Sequence, residues 1–232
     1  LLKRLGDNGG RVVYKPNCKG MGKGIRILPV TTKQEIDEAL ECIRSEGNGI
    51  VEEYICQNEV LSELYPKAVS VIRFYSVCSP QGSFLFAPVL TVAHQNEISN
   101  GCQDALTSMV DIRTGEVLTQ AVDQNEMVEY ETHPVTGKAF RGVMLPFWEE
   151  TIAMMRKVVP LASKISNIGW DVAITGEGPM LVEANTIPGF TTAQYSGFGS
   201  ITQGYGYQPL FDAVHGIGFE VDRRFEKVVL KL

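Results

Sequence analysis

The chain has 232 residues, 44% of them hydrophobic and 21% charged, a size and balance that exclude a disulfide-stapled mini-protein, a fibrous repeat and extensive disorder. Acidic residues outnumber basic ones by 27 to 21, a net charge of −6, so no general affinity for nucleic-acid phosphates is expected. The longest apolar stretches, residues 68–77 and 84–93, are interrupted by Arg73 or Pro88 and fall short of a membrane span.

Taken in order, residues 1–10 carry neither a secretory signal nor a transit peptide, and the chain starts at Leu1, so it reads as a piece of a longer protein. Residues 11–15 form a β-rich run that ends at Pro16. A glycine-dense loop, Lys19-Gly20-Met21-Gly22-Lys23-Gly24, leads into a second apolar run at 25–28, and the whole reads as a hairpin with a flexible tip. From Thr32 the period changes: Ile36, Ala39, Leu40 and Ile43 mark a helix, with Thr32 as N-cap, Glu35 completing a capping box and Gly47 as the stop.

Residues 50–55, 69–77 and 84–92 are strand candidates expected to share one antiparallel sheet, the last two joined by the turn Ser79-Pro80-Gln81-Gly82. The polar stretch 95–103 is aperiodic and reads as a mobile loop. Residues 109–112 and 116–121 flank Arg113-Thr114-Gly115 as another hairpin. A helix is expected over 146–165, with Pro146 in its first turn and a kink at Pro160. The strands 168–174 and 180–184, joined by the turn 175–179, read as a hairpin, and the stretch 189–207 is rich in Gly, Thr, Ser and Tyr. The five cysteines stand singly without CxxC spacing, which argues against a disulfide framework and a zinc site and for a reducing, cytoplasmic compartment.

Three segments carry chemistry. In the last hairpin, alternation puts Glu183 and Asn185 on one side of their strand, and Asp171 on the partner strand can complete the cluster. Two carboxylates and an amide oxygen on rigid strands suit a hard ion such as Mg²⁺. On pattern alone the carboxylates read equally as solvated charges, but their apolar neighbours make an unpaired carboxylate costly. Next, Lys15 and the glycine loop offer positive charge and backbone N–H groups to phosphate, without the Ser or Thr of a Walker A loop and without the Rossmann glycine spacing. Finally, Glu52-Glu53-Tyr54-Ile55, at a strand end, offers an acceptor and a backbone donor to an adenine; it reads otherwise as an acidic strand edge.

In this order the three segments resemble the ATP-grasp superfamily over residues 11–194. The run Glu183-Ala184-Asn185-Thr186-Ile187-Pro188-Gly189-Phe190-Thr191 is similar to D-alanine:D-alanine ligases, while His133-Pro134, Thr136-Gly137, Phe140, Gly142, Pro146, Trp148 and Gly169-Trp170-Asp171 resemble the sugar-transfer-associated or α-L-glutamate ligase-related members. The resemblance implies an α+β ATP-grasp fold of two subdomains with mostly antiparallel sheets gripping ATP, a small one over 1–55 and a large one over 56–232, with a preceding α/β domain missing.

It also implies that Lys15 contacts the phosphates and that Gly20, Met21, Gly22, Lys23 and Gly24 close over them. Glu52, Glu53 and the Ile55 backbone take the adenine; Glu59 takes the ribose, with Gln57 as a partner in that task. Asp171, Glu183 and Asn185 hold Mg²⁺, with Mn²⁺ as a substitute, and Arg73 faces the transferred phosphoryl group. One position departs from the ligase pattern: Gly169 stands where those ligases carry an arginine. The implied chemistry is ligation of a small carboxylate, such as an amino acid or sugar derivative, to an amine through an acylphosphate. The rivals are phosphoryl transfer to a hydroxyl and a non-catalytic nucleotide-binding module. Neither a nucleic acid nor a membrane is an expected partner; an oligomer is compatible with the sequence. His133, Lys138 and Arg141 are secondary candidates for acceptor contacts.

Overall fold

A computed structural model describes residues 2–7, 9–17, 23–96, 105–123, 125–189, 192–193 and 227–232. The chain divides into two compact units, Leu1–Cys56 and Gln57–Leu232.

The first unit contains α1 (Leu2–Leu5), β1 (Arg11–Pro16), β2 (Arg26–Pro29), α2 (Lys33–Glu46) and β3 (Gly49–Glu53). Its three strands form an antiparallel sheet in the order β2-β1-β3. Alternation along β1 buries Val12 and Tyr14. Val12 packs with Leu2, Val30 and Ala39, against which Ile36, Leu40 and Ile43 of α2 close the core. The helix starts where its capping chemistry dictates, with the Thr32 side chain accepting from the Glu35 N–H and the Glu35 side chain reaching back to the Thr32 N–H. It stops at Gly47, whose φ of 88° suits glycine and whose carbonyl accepts the Tyr14 hydroxyl at 3.1 Å.

Of the sheet expected from 50–55, 69–77 and 84–92, the last two runs pair antiparallel as expected, but 50–55 does not join them. β3 pairs with β1, Lys15 facing Ile50 and Tyr14 facing Val51. A short apolar run records that it is a strand but not which edge it will fill, and here α2 returns the chain to the free edge of β1. The short helix α1 has no counterpart among the expected elements.

The second unit contains α3 (Glu59–Leu64), β4 (Val71–Ser79), β5 (Gly82–Ala93), β6 (Ala105–Met109), β7 (Ala121–Asp123), β8 (Val128–Tyr130), α4 (Trp148–Leu161), β9 (Asn167–Thr175), β10 (Gly178–Asn185) and β11 (Val229–Lys231). They build an eight-stranded antiparallel sheet in the order β10-β9-β4-β5-β6-β7-β8, with β11 also against β5. On one face Ile72, Phe74, Leu90, Leu106, Trp170, Val172 and Ile174 pack with Trp148, Met155 and Val159 of α4. The Phe74 and Trp148 rings stack with centroids 5.6 Å apart, and each indole N–H is satisfied, Trp148 by the Ile112 carbonyl and Trp170 by the Ser76 hydroxyl. The opposite face carries Tyr75, Val77, Phe84, Phe86, Val89 and Met109 in a second cluster.

The hairpins at 79–82 and 175–178 form as expected. Around Arg113-Thr114-Gly115 the turn closes through Gly115 N–H to the Asp111 carbonyl at 2.8 Å. The flanking pairing, however, is one bridge, Val110 with Val117, and the ladder proper joins β6 to β7 further out. α4 starts at Trp148, two residues past Pro146, because Phe147 takes a left-handed φ of 53°. Pro160 sits in the last turn of α4, which ends at Leu161. Of the expected mobile loop 95–103, residues 97–103 lie outside the described residues, as does most of 189–207.

Candidate functional site

In the second unit the site is built on β4, β9 and β10. Alternation along β9 sends Trp170 and Val172 under α4 and leaves Asp171 for the opposite face. Asp171 stands in register between Arg73 on β4 and Glu183 on β10, a row of three charges across three strands. Two residues along, Gly169 stands in the same way between Tyr75 and Asn185.

Two irregularities make this row. On β10, Leu181 pairs with Val172 and Glu183 with Asp171, so Val182 is one residue too many. Were the ladder regular, Val182 would oppose Asp171, and Glu183 would oppose Trp170 on the face packed under α4. On β5, Phe86 pairs with Tyr75 and Val89 with Arg73, the additional residue falling at Ala87-Pro88, where Ala87 has a left-handed φ of 37°. Both bulges flank the charged row.

Arg73 holds Asp171 with both arms of its guanidinium: Nε donates to Oδ1, and Nη2 donates to Oδ2 at 2.7 Å. The side chains are only 24% and 12% exposed. Burial lowers the guanidinium's proton affinity, but the hydrogen bond and charge of Asp171, with smaller help from Tyr75 and Glu183, outweigh it and hold Arg73 above its ordinary pKa. Like charges facing each other on adjacent strands repel, so the Asp171-Glu183 pairing needs a cation beside it. Arg73 supplies one.

Gly169 makes room for that cation. A Cβ there would lie 2.7 Å from Pro188 Cβ and 3.2 Å from Arg73 Nη1. The position is thus bare, and the Arg73 guanidinium from the next strand lies against it. The Tyr75 hydroxyl donates to the Gly189 carbonyl at 2.9 Å, tying the loop after β10 to β4; burial pushes this phenol up to about 12. Sequence reasoning missed Tyr75, although its place two residues after Arg73 was the available signal.

In the first unit, Lys15 and Glu52 lie on one face, since Val13 opposes Glu52 and Lys15 follows two residues on. The two are ion-paired with each other, at 28% and 39% exposure. Glu53 is exposed at the end of β3, and Ile55 is half-buried just past it. The hairpin joining β1 to β2 is formed, with Tyr14 opposite Arg26; Lys23 is exposed and Gly24 takes a φ of 76°. Gly20, Met21 and Gly22 lie outside the described residues, as do Cys18 and Lys19.

Glu59 is the exposed first residue of α3, which Asn58 caps by accepting the Val60 N–H at 3.0 Å. Gln57 is not free for a ribose. Its amide nitrogen donates to the Tyr65 carbonyl at 2.7 Å and its amide oxygen accepts the Ser70 N–H at 2.9 Å, so it serves the loop after α3. His133 is fully buried, stacked with Tyr65, its Nε2 2.9 Å from the Ala93 carbonyl, and so has a packing role. Lys138 pairs with Glu63 at 2.7 Å on the surface, and Arg141 is exposed.

Among the described residues, no three of His, Cys, Asp and Glu gather as a metal group. The donor set here is two carboxylates and an amide, all oxygen, which is the chemistry of Mg²⁺. A carboxylate has about four acceptor sites, and Arg73 uses two of those on Asp171, leaving one on each oxygen. The residues therefore fit a divalent ion that shares Asp171 with Arg73.

Residues 3–204 match the family described as sugar-transfer associated ATP-grasp. The chain belongs to that family. Its fold is accordingly the ATP-grasp fold, α+β with mostly antiparallel sheets. No curated protein matches the chain. Solved structures similar to this ATP-grasp chain include D-alanyl-alanine synthetase A from Vibrio cholerae O1 biovar eltor, with 16% identity and a TM-score of 0.49 over 93% of this chain and 54% of that one. Another is D-alanine–D-alanine ligase from Bacillus anthracis, with 18% identity and a TM-score of 0.40 over 93% of this chain and 55% of that one. The chain spans about half the length of these solved relatives. Among the described residues no helix is long and apolar enough to cross a membrane.

Proposed function

We propose that this chain is the nucleotide-handling part of an ATP-dependent ligase that joins a small-molecule carboxylate to an amine. The observation that carries the reading is the register-matched row Arg73, Asp171 and Glu183, with Asn185 beside it, in a chain of the ATP-grasp family. The γ-phosphoryl group of ATP passes to a substrate carboxylate oxygen and ADP leaves; the amine attacks the acyl carbon, its proton is lost to solvent, and phosphate departs with the former carboxylate oxygen.

Each residue has a task in this reading. Lys15 and Lys23 bind the phosphates with Gly20, Met21, Gly22 and Gly24, while Glu52, Glu53 and the Ile55 backbone bind the adenine and Glu59 the ribose. Asp171, Glu183 and Asn185 hold Mg²⁺, which when bound neutralises phosphate charge. Arg73 offers a planar two-armed cation to the moving phosphoryl group. Gly169 keeps that arm unobstructed, and Tyr75 fixes the loop that brings Pro188 beside Gly169. Catalysis rests on placement and charge, with no covalent step on the protein.

The sugar-transfer association of the family favours a second reading, phosphoryl transfer to a hydroxyl acceptor. Titration calorimetry of Mg²⁺-dependent ATP binding, comparing the parent with Glu183→Ala and Lys15→Ala, tests the nucleotide site: binding in the parent that both variants weaken supports it, and no binding by the folded parent overturns it. Phosphate release that requires an amine then selects ligation, and a phosphorylated acceptor formed without amine selects the hydroxyl.

A further inference from the structure

We propose that Arg73 is an electrostatic placeholder that occupies Asp171 until nucleotide arrives, so that the site takes up a divalent ion together with the nucleotide and resists the ion alone. The inference rests on the nucleotide reading above. Three observations carry it. Arg73 covers both oxygens of Asp171 and is itself largely buried, so a bare metal ion would approach a carboxylate already neutralised by a fixed cation. Glu183 stands next in the same row, opposite Asp171, so two carboxylates lie side by side with Arg73 as the cation at the end of their row. Gly169 leaves space alongside Nη1, the nitrogen not used on Asp171.

A triphosphate changes the balance. It gives the guanidinium a second set of acceptors, and as Arg73 turns part of its hydrogen bonding to phosphate oxygens, Asp171 regains uncompensated charge and further acceptor sites for the ion. Metal and nucleotide then help each other to bind, and the coupling is reciprocal. Arg73 is thus a positioning residue for the metal ligand before it is a partner of phosphate.

The experiment measures Mn²⁺ binding to the full chain by electron paramagnetic resonance, with and without a non-hydrolysable ATP analogue. Wild type is expected to take up Mn²⁺ weakly alone and tightly with the analogue. Removing the cation with Arg73→Gln should tighten Mn²⁺ binding in the absence of nucleotide by about tenfold, since a like charge beside the ion has been removed. It should also shrink the further gain caused by the analogue. Adding Asp171→Asn to that variant should abolish the increase. Thermal unfolding verifies that each variant is folded, and Arg73→Met, whose stem is similar but uncharged, replaces the glutamine variant should that one not fold. Unchanged nucleotide-free Mn²⁺ affinity in a folded Arg73 variant, with analogue-dependent uptake still present in wild type, overturns the placeholder and leaves the proposed function standing. No analogue-dependent Mn²⁺ uptake by folded wild type overturns both.

Discussion

The two units each pair a cation with a carboxylate, and they do it differently. In the first, a flexible lysine meets Glu52 across two strands at 28% and 39% exposure; in the second, an arginine fork meets Asp171 at 24% and 12%, bracketed by two bulges and a bare glycine. A lysine on a surface pair is a point charge that changes partner at little cost, whereas an arginine fork holds one geometry and is missed when removed. The difference suits the tasks proposed for them, a yielding hold on phosphate in one unit and a fixed charge arrangement in the other.

The comparison breaks most visibly at Asp171. Asp171→Asn should lower phosphoryl transfer by at least about a hundredfold, and leaving the buried Arg73 without its anion should cost about 3 kcal/mol. Single-turnover kinetics and urea unfolding read the two effects, and a fully stable variant would show that the pair is no more than a surface bridge. Gly169→Ala probes the same row sterically. Its Cβ would meet Pro188 and Arg73, so a stability loss of about 1–3 kcal/mol is expected, with a fall in activity. An unchanged melting temperature would mean that Arg73 and Pro188 move aside freely.

Lys15→Ala should behave in the opposite sense. Stability should change by less than about 1 kcal/mol because the pair is half exposed, while ATP affinity falls by about tenfold. A large stability loss would erase the contrast between the units. The smallest effect is expected at Tyr75. Removing its hydrogen bond to Gly189 in Tyr75→Phe should cost about 1 kcal/mol at neutral pH. Because the folded phenol is raised from 10 to about 12, the folded state keeps its proton where the unfolded state loses it. Wild type should therefore hold its advantage below pH 10 and lose it progressively as pH rises toward 12, measured by urea unfolding at alkaline pH.

Local chemistry was legible from the residues alone. Thr32, Glu35 and Gly47 bound α2, and the turn 175–178 joins two strands, because capping and turn preferences act over a few residues. Asp171, Glu183 and Asn185 were legible as candidates too, from residue type and strand alternation, and Arg73 through the resemblance to the ATP-grasp superfamily. Partnership was not. Strand pairing depends on which edges are left free in the folded chain, so β3 joined β1 rather than β4, and Gln57 spent its amide on a loop.

Most of all, the row itself depends on one residue of register. The amino-acid order puts Glu183 and Asn185 on the same side of β10, but which side is a matter of the bulge at Val182. Packing decides that, because Val172 and Trp170 must stay under α4 while Asp171 turns away from it. Side-chain alternation is written along the chain; the register that turns alternation into a site is settled only when neighbouring strands bury their apolar faces together.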